Sequence, residues 1–131
     1  MTAATLTITR HDRDVLFDLL RRREIRFGYS PAELARSEGI TCQQLCRDIE
    51  EERRLRKDLA EPETFDLTMS QESLATTLKR LHDDAERARE EDPHRLEPRE
   101  LPEVRRSRLA SGAYICNSLV ERLDSLAGES A

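Results

Sequence analysis

An all-α fold is what this sequence predicts, and three observations predict it. The 131 residues include no Trp, two Tyr and three Phe, so the apolar content rests on Leu, Ala, Ile and Val, the residues of helix packing rather than of β-sandwich cores. Apolar positions recur at alternating spacings of three and four. Cap-forming residues stand ahead of these runs, and glycine or proline stands behind them. Four Gly and five Pro are too few for a collagen-like or low-complexity chain. No stretch approaches the roughly 20 apolar residues of a membrane span. Met1 to Thr5 carry neither a basic nor an apolar signal region, so secretion is not expected. Cys42, Cys46 and Cys116 form an odd set without framework spacing, which predicts reduced thiols and a cytoplasmic location.

The first helix is expected after Thr9, a cap, with Asp12 and Asp14 at its positive end. Val15, Leu16, Leu19 and Leu20 share one face, Arg21, Arg22, Arg23 and Arg26 crowd the far end, and Gly28 is read as the break. A second, short helix opens at Ser30-Pro31-Ala32-Glu33: Ser30 caps, Pro31 takes the first helical position, and Glu33 closes a capping box. Leu34 and Ala35 face inward, and Gly39 supplies a left-handed stop. Thr41-Cys42-Gln43-Gln44 repeats the box, with Gln44 reaching back to the cap. The third helix buries Leu45 and Ile49 and continues through Leu55 and Leu59 to a stop at Glu61-Pro62. Residues 61 to 69 read as a connector, with Phe65 and Leu67 tucked in. A fourth helix starts near Thr68 or Ser70, carries Leu74, Leu78, Leu81, Ala85 and Ala88, and stops at Asp92-Pro93. Pro93, Pro98 and Pro102 make residues 92 to 103 a stiff linker. The last helix shows Leu109, Ala113, Cys116, Val120, Leu123 and Ala127, broadened by Ile115, Leu119 and Leu126.

The chain thus reads as a trihelical module over residues 9–60 and a helical hairpin over residues 68–128. Charge separates them. Arg10 to Leu59 hold 12 Arg and Lys against 11 Asp and Glu, whereas Ala60 to Ala131 hold 10 against 16. Arg-rich segments approach phosphate and acidic ones rarely do, which assigns the two halves different tasks. Neither half buries much alone, so a homo-oligomer is expected. Leu109, Ala113, Cys116, Val120 and Leu123 are the expected oligomerisation seam.

From Leu34 to Ile49 the sequence resembles a helix-turn-helix. Ala35 lets two helices approach, Gly39 turns the chain, Ile40 plugs the corner, and Leu45 and Ile49 pin the second helix. The stretch from Gly28 also resembles region four of bacterial sigma factors, whose last helix runs on into a charged tail as Ile49 to Leu59 would. There are departures: Glu38 and Asp48 stand where such motifs often carry apolar residues. Asp48, Glu50, Glu51 and Glu52 give the third helix an acidic flank.

The resemblance implies double-stranded DNA as partner, with the third helix entering the major groove by its N-terminal end. Cys42, Gln43, Gln44, Cys46 and Arg47 stand there. Gln43 suits an adenine edge and Arg47 a guanine edge or a phosphate. Ser30 and Thr41 would touch phosphates, and the Arg21-Arg22-Arg23 cluster with Arg26 and Arg36 would supply charge beside them. The bland alternative for the arginine cluster is a solvated helix end neutralised by Asp18 and Glu24.

No metal, cofactor or catalytic role is expected. Cys42 and Cys46 share a helix face but lack the four ligands zinc wants. His82-Asp83-Asp84 reads as a charged helix face, His11 and His94 have no assignable partners, and there is no phosphate loop or nucleophile elbow. A transcriptional regulator acting as an oligomer is the leading expectation. The overall layout also resembles small terminase subunits of tailed phages, which deliver DNA to a packaging motor. A third reading dispenses with DNA: an adaptor or inhibitor whose acidic back half docks a protein partner.

Overall fold

The computed structural model describes residues 3–5, 8–60, 66–90 and 101–130, and among these described residues the chain forms five helices and a short ribbon. The helices are α1 (Arg10–Tyr29), α2 (Pro31–Glu38), α3 (Cys42–Leu59), α4 (Gln71–Ala88) and α5 (Pro102–Ser130). The class is all-α, with one addition: β1 (Ala3–Thr5) and β2 (Asp66–Ser70) pair antiparallel. The chain forms two compact units, Met1–Thr77 and Leu78–Ala131, divided inside α4. No helix among the described residues is long and apolar enough to cross a membrane.

In the first unit, the Thr9 hydroxyl accepts the Asp12 N–H at 3.1 Å and starts α1. Leu16, Leu19 and Leu20 are buried along its inner face. Gly28 does not break this helix, contrary to the sequence reading; α1 continues to Tyr29. The stop comes from Pro31, which drives Ser30 out of the helical region, to φ -155. Ser30 is therefore the sole residue between α1 and α2. Its N–H donates to the Arg26 carbonyl at 2.9 Å and its carbonyl accepts from the Leu34 N–H at 3.1 Å. Its hydroxyl makes no cap bond, so the first expected capping box does not form.

The ribbon replaces part of the expected connector. β2 lies beside α3 and pairs Ala3 with Ser70 and Thr5 with Asp66. A signal was present for β2 alone: Asp66-Leu67-Thr68-Met69-Ser70 alternates polar with apolar, whereas Ala3-Ala4-Thr5 does not. At the end of β2, the Ser70 hydroxyl accepts the Ser73 N–H at 3.2 Å and launches α4. Glu61, Pro62 and Phe65 lie outside the described residues.

In the second unit Leu78, Leu81, Ala85 and Ala88 of α4 are buried, as their spacing requires. The expected stop at Asp92-Pro93, His94 and most of the expected linker lie outside the described residues. Pro102 opens α5, where a missing N–H costs no helical bond. The seam on α5 needs correction. Leu109, Ala113, Cys116, Val120 and Leu123 are all buried within the single chain, none more than 7% exposed, so they are not available to a second copy. Four-three spacing identifies an inner face, and here the chain itself supplies the inside. Tyr114 and Val104 are the large apolar residues that α5 leaves exposed. The side chains of Leu126 and Ala127 lie outside the description.

Candidate nucleic-acid interface

The site is built on the junction of α2 and α3. Gly39 stands in the left-handed region at φ 68, ψ 31. It donates to the Arg36 carbonyl at 3.1 Å, while the Ile40 N–H reaches back to Ala35 at 3.0 Å. This pair of bonds closes α2 as a Schellman motif. Ile40, carried just past the turn, packs with Phe27 on a cluster of Leu34, Ala35, Leu45 and Ile49. Thr41 then starts α3: its hydroxyl accepts the Gln44 N–H at 3.0 Å. The side chain of Gln44 does not complete a box. It donates to Asp48 Oδ1 at 2.9 Å, one turn along α3. A buried carboxylate oxygen is the stronger acceptor, and the Thr41 backbone lies at an exposed position where water serves it.

A charged cluster sets how these helices sit on α1. Arg23 of α1 is fully buried. Its Nε donates to Glu52 Oε1 of α3 at 2.5 Å, and its Nη1 to Glu38 Oε2 of α2 at 2.7 Å. Nη2 reaches Glu38 Oε1 at 3.4 Å. One guanidinium thus ties three helices, and the planar fork suits two carboxylates approaching from different directions. This changes the meaning of the sequence departures. Glu38 sits where an apolar residue was expected because it has a buried cation to meet, and Glu52 and Asp48 are likewise buried. Of the expected acidic flank, only Glu50 is exposed, and Glu51 is half-buried. Beside this cluster, exposed Arg53 of α3 pairs with Glu24 of α1 and lies 5.8 Å from the centre of the Phe27 ring. The hydrogen bond to Glu24 holds the Arg53 pKa above its ordinary value.

The outer side of α3 is polar. Thr41, Cys42, Gln43, Gln44, Cys46 and Arg47 are all exposed, as is Arg36 on α2. Ser30 is half-buried at the α1–α2 junction, and Arg26 is half-buried too. Arg22 is different: it is buried, 6% exposed, and its charge is not presented to solvent. It is removed from the expected phosphate contacts. Burial takes it inward because it stands two and three residues past Leu20 and Leu19, on the flank of the buried stripe.

Sequence reasoning missed Arg54 and misplaced Arg23. Arg54 is exposed and follows Gln43, Arg47 and Glu50 at spacings of four, three and four along one outer line of α3; that spacing alone would have found it. Arg23, expected to supply charge to phosphate, is instead fully buried, and no local signal showed this, since its partners lie 15 and 29 residues away.

Among the described residues no group of three or more His, Cys, Asp and Glu is placed to hold a metal ion. His82 Nδ1 lies 3.2 Å from Asp83 Oδ1, and Asp84 is turned inside, 2% exposed, 3.6 Å from Arg87. The triplet is divided between surface and interior. No protein-family model, curated protein or solved structure matches this chain.

Proposed function

We propose that the first unit is a sequence-reading DNA-binding module, that α3 is its reader helix, and that the protein is a transcriptional regulator. The observation that carries this reading is the sorting of side chains around α3. Asp48 and Glu52 point into the fold, while Gln43, Cys46 and Arg47 point out from its first two turns. A reader helix needs that division. Amide and guanidinium groups must reach base edges, and carboxylates must be kept from phosphates. The turn at Gly39 and the ion cluster at Arg23 hold the helix at a fixed angle, so that side-chain position on the helix becomes position along the groove.

Roles follow from chemistry. Gln43 offers the paired donor and acceptor that match adenine, and Arg47 the two-pronged donor that matches guanine. Thr41 and Arg36 serve phosphate, with Arg54 extending the contact along the backbone. Glu50, on the same outer line, repels phosphate and accepts from a cytosine amino group, which makes it a selector rather than an anchor.

The test is substitution of the two reader residues. Gln43→Ala and Arg47→Ala should each weaken binding to a recovered DNA site by about 1–3 kcal/mol, roughly 5- to 150-fold, and relax preference at one base position. Binding that survives both changes undiminished would remove α3 as the reader.

A further inference from the structure

We infer that Cys42 and Cys46 form a two-thiolate site for one soft monovalent cation, Cu(I) in particular, on the outer face of α3. Both thiols are free and exposed. Four residues apart in one continuous helix, they stand on adjacent turns with their Cβ atoms about 5–6 Å apart. A metal–sulfur bond is about 2.3 Å, so two sulfurs in line across an ion lie about 4.6 Å apart. Slight convergence of two side chains from that helical spacing meets this span. Zinc needs four ligands, and among the described residues no third or fourth donor is grouped with this pair. A soft ion satisfied by two thiolates is the class that remains, and thiolates select Cu(I).

The charge around the pair fits the product. Two thiolates on Cu(I) carry one net negative charge. Arg47 is the next residue and is exposed. In binding, two S–H bonds break, two S–Cu bonds form and two protons leave for solvent, with no change in copper oxidation state. The site shares its face with Gln43 and Arg47. On the DNA reading proposed above, loading places an anionic site where bases and phosphates would sit, so occupancy weakens DNA binding.

The experiment is an anaerobic competition titration of the full chain against bicinchoninate-bound Cu(I). One Cu(I) per monomeric chain is expected, with uptake lost in Cys42→Ser and in Cys46→Ser and kept in Cys116→Ala. Circular dichroism confirms that each variant is folded. Absence of uptake, uptake that persists in the Cys42→Ser/Cys46→Ser double variant, or one ion bridging two chains would overturn the site. The DNA consequence is read separately, by anisotropy with and without Cu(I). A chain that binds no DNA would defeat the functional reading while the titration still decides the copper site.

Discussion

Helices α3 and α5 carry the same kind of apolar spacing, yet they use it differently. Along α3, Leu45, Ile49, Leu55 and Leu59 are buried, and a polar line of Gln43, Arg47, Glu50 and Arg54 is left facing solvent. Along α5, the residues expected to meet a second chain are the ones the fold consumes, and Cys116 among them is completely buried. Their charged residues differ as well. The inner side of α3 includes Asp48 and Glu52, the latter held to a guanidinium that also grips α2. Periodicity therefore reports which side of a helix is inside, and says nothing about which chain provides the inside. It is equally blind to a charge that is buried because its partner is buried with it.

The largest effect should come from breaking the ion cluster. Arg23→Met removes the buried cation shared by Glu52 and the part-buried Glu38 and should lower stability by about 3–5 kcal/mol in chemical denaturation. Adding Glu38→Leu and Glu52→Leu to that variant should recover most of the loss, because apolar groups of similar size need no compensation. If the single substitution proved neutral, the cluster would not be what holds α2 and α3 on α1.

The thiols sharpen the contrast on a different axis. Burial pushes the Cys116 pKa up to about 12. Between the ordinary thiol value, about 8.5, and that point the unfolded chain releases a proton that the folded chain keeps. Stability should therefore decline as pH rises from about 9 towards 12, by a few kcal/mol in order of magnitude. Cys116→Ala should flatten that part of the profile relative to the parent. Under native conditions a thiol reagent should modify Cys42 and Cys46 quickly and reach Cys116 only through opening of the fold. Three equally fast thiols would contradict the burial.

Smaller effects test the local devices. Thr41→Ala removes the acceptor for the Gln44 N–H and should cost about 1 kcal/mol. Gly39→Ala meets no atom within 4 Å, so its cost is the strained left-handed backbone alone, about 1 kcal/mol. Smallest is Arg53→Ala: its pair with Glu24 is largely in solvent, and the loss should stay below about 1 kcal/mol and shrink in salt.

Much of the candidate site was legible because its devices are local. Thr9, Thr41 and Gly39 act within a few residues of themselves, and Leu34, Ala35, Leu45 and Ile49 announce their inward side by spacing. Ser30 shows the limit even of local reading: its sequence context asks for a capping box, but one residue between two helices leaves its backbone, not its hydroxyl, to close both ends. Gly28 misled because a glycine with no strained φ is tolerated inside a helix at about 1 kcal/mol. What could not be read was long-range. The Arg23 cluster joins residues from three helices, and β1 pairs with β2 more than sixty positions away, so neither partnership leaves a mark in any short window, even though β2 by itself alternates.

The central claim is that the outer face of α3 reads DNA, and selection of fragments from a random duplex pool by the full chain, at about 0.15 M salt, tests it most directly. Enrichment of one sequence, with an affinity whose logarithm falls linearly with the logarithm of salt concentration, is the predicted result. A folded protein that enriches nothing would contradict it.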